Sequence, residues 1–418
     1  MTFNPFKEKP KKPESVLLNW KDIFVKPYDK NEVSPYTKTR CILMNGTEYE
    51  ATWCKHHFNR HYPDNDARRQ VALIRRSEQQ QQKAISLLKP VDESLLETTI
   101  SYEQLAVDLT AFLAQRATDK HVKRALDFAL LEDFDHLYRY ANLMEMDMGL
   151  HAERLVGSYT EIMPGRPTIA HHRHPFDCVK PSIDNKKADL ITKLDVGIIT
   201  AAEQQTMNYY MNISGFYSNQ RGRELYAEIG MVEEDHVSHY GSLIDTKATI
   251  FENLLMHEYT ECYLYYSMFQ DETNEHIKEL WERFLEIEIS HLHAAAKLME
   301  KYEKKSWEEV IPGGAFPAIL KLHENKEYVR TVLSKTVWDT ADKEGYQDVK
   351  ALEKDADFFK YQKKTTPHPE KERGHTVVTD AIAVFERDYR FQESEHPIKC
   401  MRSRTEDNFD VGRAPDKC

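Results

Sequence analysis

The sequence predicts a mainly α-helical protein whose centre is a helical bundle built from three helical hairpins, with irregular extensions at both ends. Three observations lead there. Between about 92 and 303 the apolar residues recur at steps of three and four, the spacing of one helix face. Turn chemistry breaks that pattern at "ATDK" near 118, "YSNQRG" near 218 and "QDETN" near 273. A glutamate followed by an acidic-x-x-His pair occurs three times at one interval (133 − 103, 233 − 203 and 288 − 258 are each 30), with a turn at each midpoint.

Taken in order, residues 1–91 read as an N-terminal extension, Pro- and Lys-rich at first and then mixed. Met44-Asn45-Gly46-Thr47 has the composition of a hairpin turn between two short strands. Residues 64–89 form a charged helix whose Gln run is a solvated face, and Pro90 ends it. Residues 92–303 form the bundle. Its one large interruption, 157–187, carries Gly157, Pro164, Gly165, Pro167, Pro175 and Pro181 and is expected to be irregular. Residues 304–418 form a C-terminal extension that starts at the breaker "PGGAFP". It holds a helix in "NKEYVRTVLSKTVWDTADKEGY", a second in "HTVVTDAIAVFERDYR", and a polar tail.

Composition narrows the function classes. The formal net charge is −12 and charged residues make up 30%, with mean hydropathy −0.68. An acidic chain suits neither nucleic acid nor an anionic membrane surface, since both attract positive patches. No apolar run approaches a membrane span, and no apolar stretch follows the N-terminal lysines as a secretory signal requires. The expected location is the cytoplasm. The six cysteines lack any C-x-x-C pair, which leaves no zinc-ribbon or rubredoxin-like module and suggests free thiols.

The repeated carboxylates lie in the apolar seams. One helix runs Phe251, Leu255, Glu258, Cys262, Tyr265, Phe269, and its partner Ile277, Leu280, Phe284, Glu288, His291, Ala295, Leu298. The second hairpin places Glu203 between Ile199 and Met207, and Glu233 and His236 between Ile229 and Tyr240. The first carries Glu103, then Asp133 and His136 between Ala129 and Tyr140. Residues at i and i+3 share a helix face. Ligands equally far from a turn on both arms come to the same height. Buried carboxylates are costly unless a cation meets them. These nine residues, Glu103, Asp133, His136, Glu203, Glu233, His236, Glu258, Glu288 and His291, are the candidate metal ligands.

The pattern resembles the ferritin-like superfamily, which includes rubrerythrins, manganese catalases and di-iron oxygenases. There one Glu from each of two helices and Glu-x-x-His from the other two hold a metal pair. The resemblance covers about 92–303. It implies two metal ions, iron in preference to manganese, and an oxidoreductase (peroxidase, catalase-like or oxygenase) acting on dioxygen or hydrogen peroxide. A separate electron donor and a second copy of the chain are the other expected partners. Iron storage, or a structural bundle with vestigial ligands, are the alternatives. Three half-sites compete for one site. Ligand chemistry favours the second and third hairpins, because Asp133 is one methylene shorter than Glu, whereas the family topology favours the first with one of the others. The remaining hairpin is either a duplicate without ligands or holds a second site. His257, Glu261 and His293 flank the seam, with Glu261 at the spacing of a movable ligand. His171, His172 and His174 have metal-binding side chains but sit in the crossover loop and read as surface or loop-packing residues, and Cys54 with His56, His57 and His61 lacks zinc spacing.

Overall fold

Helical periodicity and strong caps decide most of the architecture. The computed structural model describes residues 3–386 and 392–402. A short α1 (Trp20–Ile23) precedes two long helices, α2 (Pro35–His61) and α3 (Asn65–Ser86). Then follow α4 (Leu95–Arg116), α5 (Lys120–Met148), α6 (Leu190–Ile213), α7 (Gln220–Ser242), α8 (Ile250–Asp271) and α9 (Glu275–Glu303). The C-terminal part holds α10 (Lys326–Thr336), β1 (Asp339–Asp342), β2 (Gly345–Asp348), α11 (Asp357–Thr365) and α12 (Arg373–Phe385).

Side chains close the helix starts where backbone N–H groups lack partners. Ser94 with Glu97 and Thr249 with Glu252 form reciprocal capping boxes at α4 and α8. Asp64, Asp119, Asn219 and Asn274 cap α3, α5, α7 and α9. Each such cap contributes about 1 kcal/mol. Gly149, at φ +65°, ends α5 in the left-handed conformation that glycine adopts without strain.

The chain divides into two compact units. Unit 1 is Met1–Glu93, Ile183–Gln205 and Ile244–Leu322; unit 2 is Ser94–Ser182, Thr206–Leu243 and His323–Cys418. In unit 1, α2 packs on α3 and α8 on α9, while α2 also meets α8 and α3 meets α9, giving a four-helix bundle. In unit 2, α4 packs on α5 and α5 on α7, with α10 laid against α4 and α5 and α12 against α5 and α7. Its core includes Ile100, Val107, Phe134, Leu137, Tyr210 and Ile229.

Several expectations change. Residues 1–91 are not an appended extension, because α2 and α3 supply half of the unit 1 bundle. The strands and hairpin turn around Met44–Thr47 do not exist; those residues lie inside α2. Gly46 serves close packing and not a turn, since a Cβ there would lie 3.0 Å from Gln205 Nε2 and 3.2 Å from Gln205 Cβ. The helix expected over "NKEYVRTVLSKTVWDTADKEGY" stops at Thr336, and Asp339–Asp348 pair as an antiparallel hairpin in which Asp342 faces Gly345. Asp, Thr and Gly in that stretch weaken a helix. The interruption at 157–187 is irregular, with short 3₁₀ turns. The last expected helix spans Arg373–Phe385; its continuation at 387–390 and the tail from 403 lie outside the described residues. Cys41, Cys54, Cys178 and Cys262 are free thiols, but Cys400 is disulfide-bonded. The absence of a cysteine framework therefore did not exclude a single bond. No helix among the described residues is long and apolar enough to cross a membrane.

Candidate metal centres

In unit 2 the inward faces of three helices bring five predicted residues together. Glu103 comes from α4, Asp133 and His136 from α5, and Glu233 and His236 from α7, all fully buried. Asp133, Glu233 and His236 offer ligand atoms within 4.8 Å of one another, and so do Glu103, His136 and Glu233. Glu233 joins the two groups: Oε1 lies 3.0 Å from His136 Nδ1, and Oε2 lies 3.1 Å from His236 Nδ1. His236 Nδ1 is also 3.3 Å from Asp133 Oδ1.

The other nitrogen of His236 is fixed from behind. Nε2 lies 2.7 Å from Glu132 Oε2, and Arg173 Nη1 donates to both Glu132 oxygens at 2.8 and 2.9 Å. Burial would raise the Glu132 carboxyl, but Arg173 and His236 bring it down to about 2, so it is ionised and accepts the Nε2 proton. His236 Nδ1 then meets Asp133 and Glu233 either as a second N–H on a cationic ring or as a lone pair sharing a metal ion with them. A carboxylate behind a ligating imidazole is the usual support of a metal-bound histidine. Burial, followed by the nearby Arg139, pushes His136 well below the ordinary histidine range and keeps it neutral, the form that can bind a metal. Tyr210 donates its hydroxyl to Glu103.

Unit 1 holds a second cluster, at Glu78 on α3, Glu258 on α8, and Glu288 and His291 on α9. His291 Nδ1 is 3.1 Å from Glu288 Oε2 and 4.0 Å from Glu258 Oε2. Gln81 Nε2 donates to Glu288 at 2.7 Å and to Glu48 at 3.1 Å, and Tyr265 donates to Glu48. The Lys55 ammonium pairs with Glu78, lies 2.9 Å from Glu258 Oε1 and 3.9 Å from Glu261 Oε2. Apart from that ammonium, neither oxygen of Glu258 has a hydrogen-bond partner among the described residues.

Crowded charge shows in the protonation of this cluster. Burial, with repulsion from Glu261, Glu288 and Glu78, lifts Glu48 well above the usual carboxylate range. Burial also lifts Glu78 although Lys55 pulls it down, and burial with Glu288 raises Glu261 to about 7. Burial opposes charge on His291 and His257, but Glu288 raises the first to about 9, and Glu261 and Glu50 raise the second to about 9. Such a set takes up cations, as protons or as a metal. Buried, orphaned carboxylate oxygens beside imidazoles fit an oxygen- and nitrogen-liganded metal.

The preferred pairing of the second and third hairpins is corrected. Glu233 and His236 meet the first hairpin's Glu103, Asp133 and His136, and Glu288 and His291 meet Glu78 of α3. Glu203 is buried on α6, on the unit 1 side of the division after Gln205. Sequence reading missed Glu48, Glu78, Gln81, Lys55, Glu132 and Arg173. A signal for three of them existed: Glu48 to Glu78-x-x-Gln81 repeats the interval of 30 (78 − 48). The two centres are also equivalent in register. Glu48 and Glu103, Glu78 and Asp133, and Gln81 and His136 are each 55 apart (103 − 48, 133 − 78, 136 − 81). So are Glu233 and Glu288, His236 and His291, and the two glutamate-facing tyrosines Tyr210 and Tyr265 (288 − 233, 291 − 236, 265 − 210).

The weaker candidates resolve in varied ways. Glu261 does approach the unit 1 cluster, bridged to Lys55 and 3.6 Å from His257 Nε2. His293 instead bonds the Pro5 carbonyl at 3.2 Å, a packing role. In unit 2, His172, Glu228 and His375 also converge, but Arg139 Nη1 already donates to Glu228 at 2.8 Å, which makes this an ion-pair network. His171 is buried with its ring 5.6 Å from that of His136. Comparison with protein-family models, with curated proteins and with solved structures finds no match to the chain.

Proposed function

We propose that this chain is a carboxylate-bound metal protein on a ferritin-like plan, an oxidoreductase acting on dioxygen or hydrogen peroxide, with iron favoured over manganese. The observation that carries the reading is the unit 2 constellation: three carboxylates and two imidazoles from three helices, all without solvent exposure, joined through Glu233. A structural core has no need of such a set, since apolar residues of like volume serve stability as well or better.

Glu103, Asp133, His136, Glu233 and His236 would hold the metal. Bound there, it would supply a redox-active Lewis acid for a small oxidant. The protein's own share is positioning. Glu132 with Arg173 fixes the tautomer and plane of His236. Tyr210 orients Glu103, and complete burial keeps bulk water out. Oxygen and nitrogen donors without thiolate suit iron or manganese.

The test is metal quantitation on protein expressed in medium supplemented with iron and manganese. The wild type should carry bound metal, with Glu233→Ala and His236→Ala carrying markedly less. Peroxide or oxygen consumption should fall in step with metal content. Wild-type metal content in both variants would sink the reading.

A further inference from the structure

We propose that the Lys55 ammonium stands in for one metal ion in unit 1, so that the two centres carry unequal metal loads. The inference rests on the metal reading above and divides it between the units.

Position is the first argument. Lys55 is 1% exposed, and its Nζ contacts Glu78 and Glu258, two of the four residues whose ligand atoms converge there. A cation already sits against the oxygens a metal would use. The ammonium, at 2.9 Å from Glu258 Oε1, neutralises carboxylates that otherwise have no hydrogen-bond partner.

Register is the second. The 55-residue equivalence sets Lys55 against Thr110 of unit 2 (110 − 55 = 55), a neutral side chain equally buried on α4. Two further differences follow the same logic. Gln81 replaces the imidazole of His136, and its amide donates to Glu288 and Glu48 where an imidazole would offer a lone pair. Glu261 stands where unit 2 has Thr206 (261 − 206 = 55), adding a carboxylate beside the ammonium. Unit 1 thus has one imidazole ligand fewer, one ammonium more, and the extra anion that the ammonium balances.

Access is the third. A cavity of about 260 Å³ in unit 1, walled by Trp53, Val196, Leu254 and Met256, is also lined by Lys55 and His257. Glu78 and Glu258 do not line it. A cation arriving through this cavity, past Glu50 on its wall, reaches the ammonium before Glu78 or Glu258.

The experiment compares metal content per chain, after anaerobic iron loading and desalting, for wild type, Lys55→Thr, Lys55→Met and Lys55→Arg. Lys55→Thr restores the unit 2 residue, and Lys55→Met removes the charge at nearly constant volume should the smaller residue fail to fold. Both neutral variants should bind about one more iron ion per chain than wild type. Lys55→Arg, which keeps the charge, should match wild type. The gain should persist when His236→Ala is added, which places it in unit 1. Wild-type loading in both neutral variants, or an equal gain in Lys55→Arg, overturns the role of Lys55 while leaving the unit 2 reading standing. No bound iron in wild type or any variant overturns both.

Discussion

Glu132 shows how much of this chemistry rests on single residues behind the ligands. It never had a place in the ligand pattern, because it neighbours Asp133 and so points away from the repeated helix face. Yet it accepts from His236 and is clamped by Arg173, with no exposure. Glu132→Gln keeps the shape and removes the charge. It should leave Arg173 buried without its counter-ion, costing about 3–5 kcal/mol in a urea melt. It should also release His236 from its tautomer and lower metal affinity about 10–100-fold in a competition titration. A variant with weakened stability but unchanged affinity would mean that Glu132 serves the core alone. The sequence could not reveal this residue, because the pairing with Arg173 reaches across the irregular connection, where spacing carries no information.

At the scale of elements, what was legible follows from what periodicity measures. α4, α5 and α7 to α9 read correctly because their apolar seams are long and their caps explicit. α2 did not, because Asn-Gly is the strongest short hairpin signal and its 27 residues carry much polar surface. The Gly46 hydrogen is instead needed where Gln205 comes close. The distinction is testable. Gly46→Leu should destabilise by about 1–3 kcal/mol through overpacking. At Gly197, inside α6, a Cβ would meet Thr260 Oγ1 at 3.9 Å and nothing nearer among the described residues. Gly197→Ala should therefore stabilise by about 0.5–1 kcal/mol through helix propensity. Thermal melts of both variants would check the pair of signs. Equal effects would mean that neither packing nor backbone geometry requires a glycine at position 46. The same misread glycine hid Glu48, and with it the fourth repetition of the 30-residue interval.

For the molecule as a whole, the sequence disclosed half-sites but not their partners. Equal intervals show which residues share a height within a hairpin and say nothing of which hairpins meet. The folded chain enters unit 1, leaves at Glu93 and returns at Ile183, so neighbours in sequence belong to different bundles. Each unit then gathers its own buried charges, and this sets a pH dependence. In metal-free unit 1, Glu261 titrates near 7 and His257 and His291 near 9, all above their unfolded values. A raised folded value means that the native state binds more protons than the unfolded one. The stabilisation is therefore full below the unfolded values and is lost as pH rises through the folded ones. For the two histidines that loss falls between about pH 6.5 and 9; Glu261 loses its share earlier, between 4.5 and about 7. Metal-free protein should accordingly melt at falling temperature from pH 6.5 to 9, each kcal/mol lost appearing as about 2–4 °C at this domain size. Substituting His257→Gln should flatten the slope without touching the unit 2 centre, because it removes one of the protons at stake. A melting temperature that rises over this interval would mean that the carboxylates of unit 1 are already balanced by something other than these protons.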